Sequence, residues 1–289
     1  MAGDDSGSAL NARIPVALAI AGSDSGGGAG VQADLKTFAA LGVHGASAIT
    51  ALTAQNTLGV TAIHCAPTEI VAAQIEAVLG DFNVKAVKIG MLGNAAIVAA
   101  VAECLKSAPF IIYDPVMTAT SGDALSGAGF VEAIKAHLLP LVDCLTPNLA
   151  EAAALLGEEL ARDEADMARQ GAALRALGPR AVLMKGGHLR SGDAVDLLVS
   201  AEGVQRFSAP RAASRNLHGT GCTLSSALAA GIVLGLRLPE AVARAKTFVG
   251  GAIVRASGLD FGAGVGPLAQ LPLFDSLGDR RAGHDDVGH

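Results

Sequence analysis

Short runs rich in Val, Ile, Ala and Thr recur along this chain, several of them apolar throughout instead of at every second residue, with Ala-rich amphipathic stretches between most of them. A strand that is apolar on both sides must be covered on both sides, and a parallel sheet with helices above and below does this. The strand candidates are Val16–Ala21, Ala46–Thr53, Val60–Cys65, Val87–Ile89, Phe110–Asp114, Cys144–Thr146 and Ala181–Lys185. The helix candidates are Gly30–Leu41, Glu69–Leu79, Ala95–Lys106, Gly129–Leu139, Leu149–Leu156, Glu164–Leu177, Thr223–Leu236 and Pro239–Ala256. One segment departs from the rhythm: Ala194–Ser200, a turn at Glu202-Gly203, and Val204–Ala209 read as an antiparallel hairpin at the sheet edge. No internal repeat or Pro/Gly linker divides the chain. The expected fold is therefore a single three-layer α/β/α domain over residues 14–274, with a mostly parallel central sheet and an antiparallel edge hairpin. Residues 1–13 and 275–289 lack periodicity and are expected to be disordered tails.

Composition narrows the functions open to such a fold. An apolar fraction of 51% over 289 residues excludes a disordered chain, and with 3% aromatic residues the core must come mostly from Ala, Val, Leu and Ile. The longest nearly unbroken apolar run, Ala227–Leu236, is half of the roughly 20 residues a bilayer span needs, so no membrane segment is expected. Asp4 and Asp5 stand where a signal peptide would carry positive charge, and the four cysteines, Cys65, Cys104, Cys144 and Cys222, form no C-x-x-C pair. Both features point to a reducing cytoplasm without disulfides or a cysteine zinc site. The histidines show no metal-ligand spacing. A net charge of −6 without a Lys/Arg cluster gives no footprint for nucleic acid or an anionic membrane, so any phosphate must be held locally.

Ligands of open α/β sheets sit beyond the carboxyl ends of the strands. Polar groups follow the strand candidates repeatedly: Gly22-Ser23-Asp24, Gln55-Asn56, Met91, Asp114, Asn148 with Glu151, and Lys185-Gly186-Gly187. The segment from Asn216 to Ser226, NLHGTGCTLSS, is the sharpest. Gly219 and Gly221 flank Thr220 just before an apolar helical run, so backbone N–H groups can point outward at an anion. An ordinary glycine turn reads the same way. Cys222 in the first helical turn is a candidate proton acceptor, since a helix N-terminus lowers a thiol pKa, or simply a small buried residue.

The loop Gly22–Gly30 resembles a phosphate cradle but has Gly28 at the lysine position of a Walker A loop, so it reads as a loop that allows close approach of a ligand. Asp34, one turn into the next helix, faces back toward that loop or out to solvent. Asn148 and Glu151 have capping-box spacing and equally suit water on a magnesium ion. Lys185 places one positive charge at the rim, suited to a nucleotide phosphate.

Taken in order, AGSDSGGGAGVQADLKTFAALGVHG (21–45), ITALTAQNTLGV (49–60), VKIGML (87–92), YDPVM (113–117), SGDAL (121–125), LTPNLAEAAALLG (145–157), VLMKGGHL (182–189) and HGTGCTLSSALAA (218–230) closely resemble the hydroxymethylpyrimidine/phosphomethylpyrimidine kinases of thiamine biosynthesis, in the ribokinase-like superfamily. The resemblance spans about residues 14 to 272. It implies a substrate pocket at Gly22, Asp34, Gln55, Met91 and Val116, with Asp34 and Gln55 hydrogen-bonding an aminopyrimidine. It implies that Asn148 and Glu151 form the magnesium and phosphate motif, with Asp114 ordering metal-bound water. Lys185 and the backbone from Gly219 to Cys222 would hold ATP phosphates. Cys222 stands where sugar kinases of the superfamily carry a catalytic aspartate, and would take the proton of the substrate hydroxymethyl group, aided by helix polarity and a nearby lysine. Two positions depart from the family pattern: Ser25-Gly26-Gly27 in the first loop, and Thr120 where many members carry lysine.

The resemblance thus implies an ATP- and Mg²⁺-dependent kinase acting on 4-amino-5-hydroxymethyl-2-methylpyrimidine and then on its monophosphate, and a homodimer with small-molecule substrates. A pyridoxal kinase is the nearest rival, and a non-catalytic pyrimidine-binding module on the same fold is a more distant one.

Overall fold

A computed structural model of the chain describes residues 14–117, 129–187 and 192–271. The two expected tails lie outside these residues, as do Thr120 and the SGDAL segment. Nine strands form one sheet: β1 (Val16–Asp24), β2 (His44–Asn56), β3 (Gly59–Cys65), β4 (Val84–Ile89), β5 (Phe110–Tyr113), β6 (Cys144–Leu145), β7 (Ala181–Lys185), β8 (Asp193–Ser200) and β9 (Gly203–Pro210). Their order is β3-β2-β1-β4-β5-β6-β7-β8-β9. The six central strands from β2 to β7 run parallel, and the β8–β9 hairpin closes one edge antiparallel as the sequence suggests.

The opposite edge is antiparallel too, which the strand candidates alone do not disclose. β2 runs longer than its apolar core and folds back at Thr57-Leu58 to pair with β3. The sequence there carries no two-residue glycine turn to announce a hairpin.

Alternation along each strand sorts the core into two layers. Leu18 and Ile20 of β1, Val87 and Ile89 of β4, and Val182 and Met184 of β7 face one side. There they meet α2 (Thr68–Asp81), α3 (Ala95–Cys104), a helical segment from Phe130 to Leu141, α5 (Leu149–Leu156) and α6 (Glu164–Arg175). Ala17 and Ala19, Ala86, and Ala181 and Leu183 face the other side, against α1 (Gly30–Ala40), α7 (Thr220–Val233) and α8 (Leu238–Ala256). Small residues on this second face let α7 lie close. A Cβ on Gly231 would stand 2.9 Å from the Ala241 Cβ of α8.

The segment from Phe130 to Leu141 departs from the continuous helix expected over Gly129–Leu139. Its α-helical turn, α4 (Phe130–Ala133), gives way to a π-helical turn (Ile134–Leu138) and then to a 3₁₀ turn (Leu139–Leu141). Pro140 has no N–H for a regular helix to use, which accounts for the irregular end.

Candidate active site

The first strands of the sheet set the position of the site. From β1 the chain passes to β2 on one side, and β4 then returns to the other side of β1, so the order reverses there and a crevice opens at the carboxyl ends. All site residues singled out in the sequence except Asp34 line one cavity of about 850 Å³ along this rim.

The corner formed by the segment before α7 is built by glycines. Gly219 caps α7 at φ 81° with no side-chain cap, and a Cβ there would overlap the carbonyl oxygen of Gly28. Only glycine tolerates both the left-handed backbone and that approach. The first backbone bond inside the helix runs from Thr223 N–H to Gly219 O, so the amides of Gly221 and Cys222 precede the ladder and face the cavity end. The Thr220 hydroxyl is engaged by Leu217 O at 2.6 Å, which leaves backbone groups for a ligand. Lys185 Nζ lies within 3.2 Å of where a Gly221 Cβ would stand, so this glycine keeps the lysine against the turn.

Cys222 lines the cavity in this first turn, and the Gly30 N–H, at the head of α1, points at its sulfur. Helix polarity does not win here. Burial pushes the thiol up, Lys88 pulls it down, and Asp34 and Asp114 raise it again, leaving it at about 11. The lowered thiol expected from the sequence is therefore not what the unliganded site holds.

Lys185 ties two carboxylates together. Its Nζ lies 2.5 Å from Asp114 Oδ1 and 3.7 Å from Glu151 Oε2. Desolvation would lower this ammonium, but the two carboxylates outweigh it and hold the pKa above its ordinary value. Asn148 and Glu151 do form the capping box of α5, with Asn148 N–H to Glu151 Oε2 at 2.7 Å and Glu151 N–H to Asn148 Oδ1 at 2.8 Å. Both also line the cavity, so the structural and the ligand-facing readings coexist. Burial raises the Glu151 carboxyl well above the usual carboxylate range, against the pull of Lys185.

At the other end Gly22, Gln55, Met91 and Val116 line the cavity, with Ala51, Met91 and Val116 packed into a small apolar wall. A Cβ on Gly22 would stand 3.0 Å from Met91 Sδ, so the glycine leaves the space above the wall open. The amide of Gln55 lies between His218 Nε2 and Thr53 Oγ1, 3.1 Å from each.

Asp34 is not on this wall. It is fully buried beneath the site, with both oxygens 2.8 and 2.9 Å from Lys88 Nζ and Oδ1 2.7 Å from Ser226 Oγ. Neither a ligand-facing nor a solvent-facing Asp34 fits. A lysine in the middle of a buried strand requires a carboxylate, and Asp34 supplies it.

Three residues of the site are given no role by the sequence reading. Lys88 was hidden inside an apolar strand, although a lone lysine in VKIG is itself the signal of a buried partner. Asp24 and His218 are the others. Asp24 accepts the N–H groups of Gly26, Gly28 and Ala29 at 2.8, 2.9 and 2.8 Å and faces His218 Nε2 at 3.0 Å. Burial would raise its carboxyl, but the His218 hydrogen bond and those from Ala29 and Gly26 hold it below its ordinary value.

The far end of the cavity is lined by Ala209, Pro210, Val249, Gly250 and Ile253, with a Lys246–Asp196 ion pair at 2.6 Å. The cavity thus runs from an apolar wall with one amide, past a sulfur and a lysine–carboxylate cluster, to a second apolar end. Among the described residues no helix is long and apolar enough to cross a membrane, and no group of three or more His, Cys, Asp and Glu side chains forms a metal cage.

Known proteins share this arrangement of the chain. The family model described as phosphomethylpyrimidine kinase matches residues 24–269. The hydroxymethylpyrimidine/phosphomethylpyrimidine kinase of Rhizobium meliloti (strain 1021) is 54% identical over 254 residues, covering 88% of this chain and 96% of that protein. The crystal structure of phosphomethylpyrimidine kinase from Clostridium difficile 630 superposes with a TM-score of 0.73 at 42% identity, covering 83% of this chain and 100% of that one. The ADP complex of Bacillus subtilis pyridoxal kinase superposes with a TM-score of 0.82 at 32% identity, covering 90% and 98%. With a family match across nearly the whole described chain and 54% identity to a relative over 254 aligned residues, the chain belongs to the phosphomethylpyrimidine kinase family.

Proposed function

We propose that this protein transfers the γ-phosphoryl group of ATP to the hydroxymethyl oxygen of 4-amino-5-hydroxymethyl-2-methylpyrimidine, and then a second phosphoryl group to the resulting monophosphate, in thiamine biosynthesis. The observation that carries this reading is the order of groups along one cavity. Cys222 and the free amides in the first turn of α7 stand between the Gln55–Met91–Val116 wall and the Lys185 cluster.

Each group has a role set by its place. The apolar wall takes a flat heterocycle, and Gln55 offers an acceptor beside a donor, the complement of an amine next to a ring nitrogen. Cys222, as its thiolate, receives the hydroxyl proton as the oxygen–phosphorus bond forms and the bond to the β-phosphate oxygen breaks, releasing ADP. The Gly221 and Cys222 amides and Lys185 meet the charge on the phosphoryl oxygens. The apolar end at Pro210, Val249 and Ile253 suits an adenine, and a neighbour crystallised with ADP supports ATP as the phosphoryl donor.

The donor set also fits Mg²⁺. Asp114 and Glu151 carry two carboxylates against the single Lys185 ammonium, and Mg²⁺ characteristically binds through one or two carboxylates plus water and phosphates. When bound, the ion would neutralise charge between the β- and γ-phosphates. A cytoplasmic homodimer accompanies this reading as a property of the family.

Purified protein should be given ATP, Mg²⁺ and, separately, the pyrimidine alcohol, its monophosphate and pyridoxal. Both pyrimidines should be turned over, with pyridoxal slower. A clear preference for pyridoxal would reassign the substrate, and pyrimidine binding without ADP formation would leave a binding module.

A further inference from the structure

The three buried or half-buried groups at the closed end of the cavity, Asp24, His218 and Gln55, form one chain of contacts whose proton positions can be worked out. Asp24 is 3% exposed, and its carboxylate already takes three backbone N–H groups, so it acts only as an acceptor. His218 Nε2, 3.0 Å away, must then carry a proton, whether the ring is neutral or charged.

The same nitrogen is 3.1 Å from one end of the Gln55 amide, while the other end is 3.1 Å from Thr53 Oγ1. An amide's oxygen and nitrogen are told apart by their partners. With Gln55 Nε2 against His218 Nε2, two donors would face each other, and the single O–H of Thr53 would be claimed both by Gln55 Oε1 and by Ser23 O at 3.0 Å. With Oε1 toward His218, every contact is satisfied: Nε2–H of His218 is shared between Asp24 and Gln55 Oε1, Thr53 donates to Ser23, and Thr53 accepts from Gln55 Nε2.

We infer that Asp24 and His218 are positioning residues that lock the Gln55 amide with its oxygen toward His218, and thereby determine which way round the aminopyrimidine lies. The inference rests on the proposed role of Gln55 toward the heterocycle. In this substrate the amine sits between a ring nitrogen and the carbon that bears the hydroxymethyl group. An amide with its oxygen on the His218 side receives the amine there and the ring nitrogen on the Thr53 side. A reversed amide would require the ring to turn over, carrying the hydroxymethyl group to the other side and away from Cys222. Selectivity for an amine next to the reacting arm thus comes from two residues that do not themselves meet the amine. Gly28 supports the arrangement, because a Cβ there would overlap the His218 ring.

The test compares the pyrimidine alcohol with the same compound lacking the 4-amino group. In the unsubstituted protein, loss of the amine should cost at least about tenfold in kcat/KM, because the site's polar groups are left unmatched. His218→Leu should shrink that discrimination to within about threefold, mainly through a higher KM for the amine-bearing substrate and with nucleotide affinity unchanged. In a Gln55→Ala background, adding His218→Leu should not alter the discrimination further.

A merely structural role for His218 would lower both substrates alike, and an unchanged ratio would overturn the inference. Nitrogen-15 spectra of the histidine-labelled, unsubstituted protein give an arm that needs no folded His218 variant: they should show the His218 proton on Nε2. A lone pair there would also overturn the inference. If the unsubstituted protein phosphorylates neither pyrimidine, the proposed function has failed instead, and the nitrogen spectra still decide the orientation.

Discussion

Replacing Cys222 by alanine should separate the two phosphoryl transfers. The sulfur is the proton acceptor proposed above, and with its thiol at about 11 only about one site in ten thousand is ionised at pH 7 before substrates bind. We propose that the thiolate is the working form: a thiol already holds its own proton, so bound substrates must favour ionisation of Cys222 before it can take the hydroxyl proton. The first acceptor is an alcohol, which must lose a proton. The second is a phosphate monoester, whose second ionisation lies near 6, so most of it already carries a free oxyanion at pH 7.5.

Removing a general base typically costs about 10² to 10⁴ in rate, or about 3–5 kcal/mol on the barrier. Cys222→Ala should lose that much in the first transfer and no more than about threefold in the second, where no proton has to move. Single-turnover measurements of ADP formation, with each acceptor supplied separately at saturation, read the two steps independently. Equal losses in both would refute the reasoning and place the sulfur among the groups that shape the nest. Cys222→Ser should fall between, since a hydroxyl is a poorer acceptor but keeps the packing.

Three further outcomes follow from the geometry. Alkylation of Cys222 by iodoacetamide, followed by mass spectrometry, should rise about tenfold per pH unit and level off only near pH 11, because a raised pKa confines the thiolate to alkaline solution; a plateau below pH 9 would contradict this. Asp34→Ala should lower stability by about 3–5 kcal/mol in denaturant unfolding, since it strands the Lys88 ammonium inside the protein. Gly219→Ala should lower the unfolding midpoint by less than that variant does while nearly abolishing phosphoryl transfer, because the turn must move away from Gly28 and take the Gly221 and Cys222 amides with it; retained transfer would count against the nest.

Much of the fold could be read from the chain because its strands are short, apolar and separated by long periodic helices. What could not be read depended on distant partners. The β2–β3 pairing has no local turn signature, and the irregular stretch after Gly129 depends on Pro140, which arrives ten residues later. At the site, Gln55, Met91, Lys185 and Cys222 fall at strand ends or at a helix start, where position alone marks them. Asp34 was misplaced because helical spacing gives its face within about a turn but not which lysine lies opposite, and Lys88 is 54 residues away in sequence. The thiol's value was missed for a related reason: the helix end is local, whereas the two carboxylates that oppose it come from other elements.

The contact of Gly219 with Gly28 leaves no room for a methyl group between the two turns that bracket the site, and that of Gly30 with Gly22 leaves none within the first of them. Bare main chain is pressed against bare main chain, with no flexible side chain between to absorb a shift. The ledge proposed to recognise the ring and the corner proposed to handle the phosphoryl group are therefore held together as a single rigid jig. A lineage could exchange Met91 or Val116 to admit a different ring without disturbing the reacting distance, whereas a change in either turn would alter recognition and chemistry in one stroke.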